Sequence, residues 1–256
     1  MSLIPNEGAC IRVERERWVA AQEWERAHWV NSERERARFA KNVIWRVLSA
    51  CGLKPKYRGD DSNLWWRDQF DRYSFLPPTL DNAIELGCGP YTNMRHILAH
   101  CSPAHVILSD PLIRTYVHFP LAFVAAMYRA AFCTLDDHPA EECPFASDYF
   151  DLVVMTNVLD HVRDADLCIK EAARITKPGG FLIMGQEMSD DDDAKAMRDD
   201  PGQVGHPIRV DHDWMDAHLV DFKPVLKKVL SRHEGRGPEH HYGTYIFAGR
   251  KLPLSA

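Results

Sequence analysis

The sequence lacks the features that mark several classes of protein. Its longest apolar runs, such as the one around LAFVAAMY, are far shorter than the roughly 20 residues that a membrane-spanning helix needs. It has no basic excess, because the 256 residues carry a formal net charge of −6, which argues against a general nucleic-acid binder. We expect no secretory leader, since the chain is polar from Asn6 onward. We therefore expect neither a membrane nor a nucleic-acid partner.

Cysteine spacings typical of metal sites are also missing. The seven cysteines include no C-x-x-C pair, and an odd number cannot all form disulfides within one chain. Free thiols in a reducing compartment are therefore expected, which favours a cytoplasmic location. The only run of like charges in the sequence is Asp190 to Asp193, and the side chains of consecutive residues point in different directions. We expect a solvated loop there and no metal site.

The N-terminal part differs in composition from the rest of the chain. Residues 12–50 are dense in Arg, Glu and Trp and contain no Gly or Pro, which favours helix. One or two helices are predicted, with Gly52 at the position of a helix C-cap. We expect residues 1–75 to form an N-terminal helical cap or lid and residues 76–256 to form the main domain.

Two tryptophans lie on nearly the same face of the predicted N-terminal helix. Trp18 and Trp29 are eleven residues apart, close to three turns of an α-helix. The pair either forms an aromatic lid over a substrate or docks the helix on the core. The sequence leaves both interpretations open.

From Asp81 onward, short apolar segments alternate with helical ones. The predicted strands are NAIEL, HVILSD, FDLVVMTN and GFLIMGQE, with amphipathic stretches between them. Continuous apolar strands that alternate with helices indicate a parallel sheet covered on both faces. Near the end, KPVLKKVLSRH and HYGTYIFAGRK predict a hairpin of two antiparallel edge strands.

A glycine loop follows the first of these strands, in the segment AIELGCGPYTNMR. Gly87 and Gly89 suit a tight turn with close ligand approach, but Thr92 stands where a dinucleotide fingerprint has its third glycine. The carboxylate of Glu85, at the end of the strand, would repel a pyrophosphate, whereas it suits a ligand that carries an ammonium group. Asp110 ends the next strand, where an acidic residue can accept hydrogen bonds from ribose hydroxyls.

Together these segments resemble the class I S-adenosylmethionine-dependent methyltransferases. IELGCGP, LSD, CPF followed by FDLVVMTNVLDHV, and RITKPGGFLI occur in order over residues 81–187, and the terminal hairpin extends the likeness to about residue 250. The resemblance implies an α/β, Rossmann-like doubly wound, mostly parallel seven-stranded sheet with an antiparallel C-terminal hairpin. It also implies S-adenosyl-L-methionine as the cofactor.

The resemblance assigns roles to individual residues. Glu85, Gly87 and Gly89 would form the cofactor loop, with Glu85 near the methionine part, and Asp110 would hold the ribose. The remaining candidates are Leu112 on the adenine, Glu141 or Asp137 at the adenine edge, Thr156 and Asn157 beside the sulfonium, and Arg67 on the methionine carboxylate. An ordinary surface position for Arg67 is an equal alternative.

The group that would deprotonate an acceptor is harder to predict. His161 follows the fourth strand of the pattern, His206 lies in the loop after the fifth, and His241 lies near the terminal hairpin. Each is a candidate general base, because histidine titrates near neutrality. Each can also be an ordinary loop residue.

The resemblance predicts a methyltransferase that acts on oxygen or nitrogen of a small-molecule or glycan-like acceptor. The alternative is a non-catalytic cofactor-binding protein, regulatory or scaffolding, on the same fold, because a fold does not fix a function.

Overall fold

The computed structural model describes residues 10–41, 51, 61–190, 192–193 and 201–253. Within these ranges the α-helices are α1 (Arg15–Lys41), α2 (Asp61–Gln69), α3 (Met94–Ile97), α4 (Ile113–Tyr116), α5 (Phe123–Arg129), α6 (Ala165–Ile175) and α7 (His212–His218). The strands are β1 (Thr79–Leu86), β2 (Ser102–Ser109), β3 (Thr134–Asp136), β4 (Phe150–Thr156), β5 (Thr176–Met188), β6 (Phe222–Ser231) and β7 (Gly243–Lys251). Short 3₁₀ turns cover Asp71–Tyr73, Ala140–Glu142 and Pro201–Val204.

The strands form one seven-stranded sheet in the order β3-β2-β1-β4-β5-β7-β6. Strands β1 to β5 pair in parallel, whereas β7 runs antiparallel to both β5 and β6. The order reverses between β1 and β4, and in open α/β sheets ligands bind in the crevice at such a switch point. The predicted fold class, including the antiparallel C-terminal hairpin, is therefore confirmed.

The central strands are apolar on both faces because both faces of the sheet are covered. Along β4, Leu152 and Val154 pack in one hydrophobic cluster, while Val153 and Met155 pack in the other. Successive strand residues point to opposite faces, so this alternation divides one continuous apolar run between two cores. Burial on both faces of the sheet therefore explains the continuous apolar run in the segment FDLVVMTN.

Helix α1 is docked on the loops beyond the carboxyl edge of the sheet. Arg17 donates to the carbonyl oxygens of Gln203 (3.0 Å) and Val204 (2.6 Å), and the Trp18 indole N–H donates to the carbonyl of His161 (3.2 Å). The predicted N-terminal helix is thus present over Arg15–Lys41, whereas the rest of the predicted helical stretch and Gly52 lie outside the described residues. None of the helices in the described ranges is long and apolar enough to cross a bilayer.

The aspartate run is less solvated than the sequence predicts. Asp193 is 5% exposed, and its carboxylate pairs with Arg232 at 2.7 Å. The Asp190 carboxylate accepts from the backbone N–H groups of Asp192 (2.9 Å) and Asp193 (2.8 Å). The expectation of a solvated loop is therefore wrong for Asp193, because Arg232 supplies a partner that local sequence does not reveal.

The close approach of α2 to β5 gives a test of the packing. A Cβ added at Gly185 would lie 2.4 Å from Cζ3 of Trp66, whose side chain is buried. Gly185→Ala is expected to destabilise the protein by about 1–3 kcal/mol, because the indole must shift within a close-packed core. Urea unfolding measures the loss. In the double variant with Trp66→Phe the smaller ring leaves room, so the loss should be less than the sum of the two single losses. Wild-type stability of Gly185→Ala would contradict the packing.

Candidate active site

A cavity opens at the carboxyl edge of the sheet, where β1, β2 and β4 end. Its volume is about 1050 Å³ including the open mouth. Its walls come from α1, α2, the glycine loop and the segments that follow β2 and β4. The lining residues include Trp18, Glu25, Trp29, Asn63, Trp66, Gly87, Gly89, Tyr91, Asp110, Leu112, Glu141, Thr156, Asn157, His161 and Arg236.

The glycine loop leaves room for a ligand because its backbone turns through positive φ twice. Gly87 has φ +63° and Gly89 has φ +55°, conformations that side chains with a Cβ rarely adopt. A Cβ on Gly87 would lie 2.7 Å from the Val158 side chain, whereas one on Gly89 would meet nothing within 4 Å. Gly87 is therefore required by packing behind the loop, and Gly89 leaves open space in front of it.

Glu85 holds the loop from behind. Its buried carboxylate accepts hydrogen bonds from the Thr92 hydroxyl and from the backbone N–H groups of Asn93 (2.9 Å) and Met94 (2.9 Å). Burial raises the pKa of Glu85, and these hydrogen bonds partly offset the rise. Glu85 does not line the cavity. This corrects the expected position of its carboxylate beside the methionine part of a cofactor.

The absent third glycine is explained by the same contact. Thr92 has φ +26°, on the left-handed side that disfavours a β-branched residue. Its hydroxyl donates to Glu85 and accepts from the N–H of Met94 (3.1 Å), so the strained position is hydrogen-bonded on both sides. A glycine at this position would relieve the strain and lose both contacts.

Asp110 faces the cavity from the end of β2. Its carboxylate accepts from the N–H of Gly89 (3.0 Å) and the N–H of Leu112 (2.8 Å), so it is tied to the glycine loop as well as to its own turn. Burial raises the pKa of Asp110 to about 6, although the two backbone hydrogen bonds favour the charged form. A hydroxyl pair that donated to this carboxylate would stabilise its ionised state.

The adenine-edge candidates separate clearly in the structure. Glu141 is buried and lines the cavity, and its Oε1 accepts from the backbone N–H groups of Arg163 (2.6 Å) and Asp164 (3.1 Å). Asp137 instead forms an exposed ion pair with Arg114 at 2.9 Å, outside the cavity. Leu112 lines the cavity, and its packing on the adenine stays a prediction.

The end of β4 contributes polar atoms to the cavity. Thr156 Oγ1 is buried and has no hydrogen-bond partner among the described residues, although Thr156 lines the cavity. Asn157 has φ +58°, and its side-chain oxygen accepts from the N–H of Glu187 (3.1 Å). A buried hydroxyl without a partner in a cavity wall is satisfied when a ligand in the cavity offers it a polar atom.

Arg67 lies outside the cavity. Its guanidinium donates twice to Asp68 Oδ1, at 3.0 and 2.8 Å, and the neighbouring Asn63 and Trp66 line the cavity instead. The prediction that Arg67 contacts the cofactor is therefore not supported by its position. The alternative of a surface arginine describes the observed pair.

An aromatic wall closes the side of the cavity formed by α1. Trp18 and Trp29 both line it, and Trp29 meets Tyr91 edge to face with ring centroids 5.5 Å apart. The eleven-residue spacing predicted their common face. The sequence did not reveal Glu25, which also lines the cavity, because a glutamate in a charged helix carries no local signal.

The three candidate histidines occupy different places. His161 lines the cavity, whereas His206 and His241 line a second cavity of about 670 Å³ beside it. Burial disfavours charge on both His161 and His241. For His161 the carboxylates of Asp160 and Glu25 outweigh burial and raise its pKa, whereas burial prevails at His241 and lowers its pKa.

The second cavity adjoins the first through two pairs of residues. Asp160 lines the second cavity and His161 the first, while Glu187 lines the second and its ion-pair partner Arg236 lines the first. His241 Nδ1 lies 2.8 Å from the Ser189 hydroxyl in the second cavity. The two spaces thus share a polar partition.

The charge of the first cavity narrows the class of ligand. Three carboxylates, those of Glu25, Asp110 and Glu141, line it together with the guanidinium of Arg236 and the imidazole of His161. This balance disfavours a pyrophosphate and suits a nucleoside whose hydroxyls donate and whose remainder carries positive charge. Fold and site together define a protein that holds a nucleoside-bearing ligand at the switch point of a doubly wound sheet.

Comparison with known proteins agrees with this class. Residues 84–184 match the family model described as a methyltransferase domain. N-methyltransferase NodS from Bradyrhizobium japonicum, solved with S-adenosyl-L-homocysteine, superposes with a TM-score of 0.52 at 17% identity, covering 87% of this chain and all of that one. A geranyl diphosphate methyltransferase solved with S-adenosylmethionine gives a TM-score of 0.61 at 12% identity, covering 83% of this chain and 92% of that one. Residues 84–184 therefore form a methyltransferase domain, and over this stretch the predicted resemblance to the class I S-adenosylmethionine-dependent methyltransferases is confirmed.

Sequence relatives extend over a shorter stretch. A 45-residue segment is 42% identical to the ubiquinone/menaquinone biosynthesis C-methyltransferase UbiE of Vibrio vulnificus. It covers 18% of this chain and 17% of that protein, so the match spans less than a fifth of the curated relative.

The contact between Glu85 and Thr92 is testable with two matched substitutions. Thr92→Val keeps the branched shape and removes the hydroxyl, so it is expected to destabilise the protein by about 1–3 kcal/mol, because the buried Glu85 carboxylate loses one of its hydrogen bonds and keeps those from the N–H groups of Asn93 and Met94. Thr92→Ser keeps the hydroxyl, so its free energy of unfolding should fall clearly less than that of Thr92→Val. Denaturant unfolding of the two variants at one pH measures the difference, and equal losses would show that the hydroxyl does not hold the loop.

Proposed function

We propose that the protein is a methyltransferase that uses S-adenosyl-L-methionine to methylate an oxygen or nitrogen of a small-molecule or glycan-like acceptor. The observation that carries this proposal is the Asp110 carboxylate, which is fixed by the glycine loop and faces a cavity that is also lined by the carboxylates of Glu25 and Glu141. The methyltransferase family and the relatives with bound cofactor or cofactor product support it.

The described residues fit this cofactor. Asp110 would accept the ribose hydroxyls, Leu112 would pack on the adenine, and Glu141 would lie at the adenine edge. Thr156, whose hydroxyl has no hydrogen-bond partner in the described ranges, and Asn157 would lie beside the sulfonium, while the backbone of Gly87 and Gly89 leaves the space for the ligand. The acidic lining favours the positive sulfonium and ammonium groups.

The second cavity is the proposed acceptor side. It adjoins the first cavity at the partition formed by the Asp160–His161 segment and the Glu187–Arg236 pair. S-adenosylmethionine supplies a methyl group that is already electrophilic. The protein therefore has mainly to hold the acceptor in line, and positioning can supply much of the acceleration.

A base is needed when the acceptor is a hydroxyl. Of the three predicted histidines, His161 lines the proposed cofactor cavity, and His206 and His241 line the proposed acceptor cavity. All three therefore remain candidates for proton transfer. Burial lowers the pKa of His241 and so favours its neutral form, which is the form able to accept a proton.

The N-terminal cap is retained as part of the proposal. Helix α1 covers one side of the cavity with Trp18 and Trp29, and its Arg17 anchors it to the loop at 203–204. A cap of this kind over residues 1–75, beside a cofactor domain over 76–256, would exclude water from the cavity. Of this stretch, residues 10–41, 51 and 61–75 are described.

Cofactor affinity should depend on Asp110 and on pH. Asp110→Asn is expected to weaken binding of S-adenosyl-L-homocysteine by about 1–3 kcal/mol, because charged hydrogen bonds to the ribose are lost. The pKa of Asp110 is raised to about 6, and the hydroxyls bind its ionised form. Wild-type affinity should therefore rise as pH increases from 5 to about 7 and then level off. Calorimetry over that range measures both effects.

The control for this measurement is Asp137→Asn. Asp137 is exposed, pairs with Arg114 and lies outside the cavity, so its variant should retain both the affinity and the pH profile. A pH-independent wild-type affinity, or an unchanged affinity in Asp110→Asn, would remove Asp110 from the proposed site.

The activity itself is tested by transfer of labelled methyl from S-adenosylmethionine to small-molecule extracts and to purified glycans. Labelled product is expected with the wild type and strongly reduced product with Asp110→Asn, because the reaction depends on the bound cofactor. Calorimetry with NAD serves as the control and should show no binding. Tight cofactor binding without transfer to any acceptor would support the non-catalytic alternative. Binding of NAD but not of S-adenosylmethionine would overturn both.

A further inference from the structure

Three side chains with metal-ligating atoms converge at the partition between the two cavities. Asp160, His161 and His206 each offer one atom, and these atoms all lie within 4.8 Å of one another. Asp160 Oδ2 lies 2.7 Å from His206 Nδ1 and 3.7 Å from His161 Nε2. The sequence predicted no metal site, because His161 and His206 are 45 residues apart and only the fold brings them together.

The surroundings fix the direction in which two of these ligands face. His161 Nδ1 lies 3.0 Å from the carbonyl oxygen of Gly205. A carbonyl only accepts, so Nδ1 carries the proton and Nε2 is the ring nitrogen that faces Asp160. Metal-binding histidines commonly donate their other N–H to a backbone carbonyl in this way.

Hydrogen bonds also fix the orientation of the Asp160 carboxylate. Its Oδ1 accepts from the side-chain amide of Gln186 at 3.0 Å. The Gln186 oxygen in turn accepts from the N–H of Leu159 at 3.0 Å, so the amide cannot flip without losing that bond. Oδ1 is thus occupied by a supporting hydrogen bond, and Oδ2 faces the two imidazoles.

The spacing is close to that of a coordination sphere. Metal–ligand bonds of about 2.0–2.2 Å place neighbouring ligand atoms roughly 3.0–3.5 Å apart. The two observed separations, 2.7 and 3.7 Å, lie on either side of that range. Adjustments of a few tenths of an ångström would bring these two separations into that range, and the ligand atoms of the two imidazoles lie within 4.8 Å of each other.

We propose that Asp160, His161 and His206 bind one divalent first-row transition metal ion. Two imidazoles and one carboxylate are a ligand set that suits such ions and leaves coordination positions open. Asp160 is buried, while His161 and His206 are only partly buried, so an ion can enter from solvent. The Glu25 carboxylate, 3.8 Å from His161 Nδ1, adds negative charge near the site.

The position of the site suggests what the ion does. His161 belongs to the first cavity and Asp160 and His206 to the second, so an ion among them lies where the two spaces adjoin. An acceptor oxygen that entered its coordination sphere would have its pKa lowered. This consequence rests on the proposed function, whereas binding of the ion does not.

The test is calorimetric titration of the chelator-treated full chain with Zn²⁺, together with Co²⁺ absorption spectroscopy, without cofactor or acceptor. One ion per chain is expected. His206→Gln and His161→Gln should each weaken binding by about 10- to 100-fold or more, the range found even for supporting residues. Thermal unfolding confirms that each variant folds. His206→Cys retains a ligand atom, so it should retain binding and add a thiolate charge-transfer band to the Co²⁺ spectrum.

The matched control is His138→Gln, in the exposed group formed by Asp136, Asp137 and His138. It should leave the stoichiometry and affinity unchanged. The proposal would be overturned if the wild type did not bind one metal ion per chain. It would also be overturned if the folded variants His206→Gln and His161→Gln bound the ion as tightly as the wild type does. Loss of binding in His138→Gln would assign the ion to the exposed group and overturn it equally. None of these outcomes depends on methyl transfer, so the proposed function stands or falls separately.

Discussion

A buried carboxylate at the end of the first strand organises the edge of the sheet. The Glu85 carboxylate accepts hydrogen bonds from the Thr92 hydroxyl and from the N–H groups at the start of helix α3. The glycine loop, which lies between Glu85 and this helix, therefore has little conformational freedom. Asp110 holds the same loop from the cavity side, because its carboxylate accepts a hydrogen bond from the N–H of Gly89. Two carboxylates on adjacent parallel strands therefore shape the loop before any ligand arrives, and such preorganisation lowers the cost of binding.

The same arrangement decides which ligand the cavity favours. A loop that held a pyrophosphate would offer its free N–H groups to the phosphates, but here Glu85 and Asp110 accept from several of them. The polar groups that line the cavity include the Asp110 carboxylate and the buried Thr156 hydroxyl, which has no hydrogen-bond partner within the part of the chain that the structure describes. A ligand rich in donors and positive charge matches those groups better than an anion does.

The partition between the two cavities depends on segments far apart in the chain. The stretch after β4 supplies Asp160 and His161, the loop around residue 205 supplies His206, and β5 supplies Gln186. Helix α1 holds that loop in place through Arg17 and donates to the His161 carbonyl through Trp18. Docking of the N-terminal helix and the geometry of the polar cluster are consequently linked, because both involve the same backbone.

The sequence by itself determined the sheet, the order of its motifs and most of the cavity edge. Alternation of apolar runs and the ends of parallel strands are local signals, and they placed Gly87, Gly89 and Asp110 at one edge, to which the family resemblance added Thr156. Tertiary structure decided where long side chains point: Glu85 turns behind the loop, and Arg67 pairs with Asp68. It also joined His206 to Asp160, because such contacts depend on loop docking and burial, which a linear pattern does not encode.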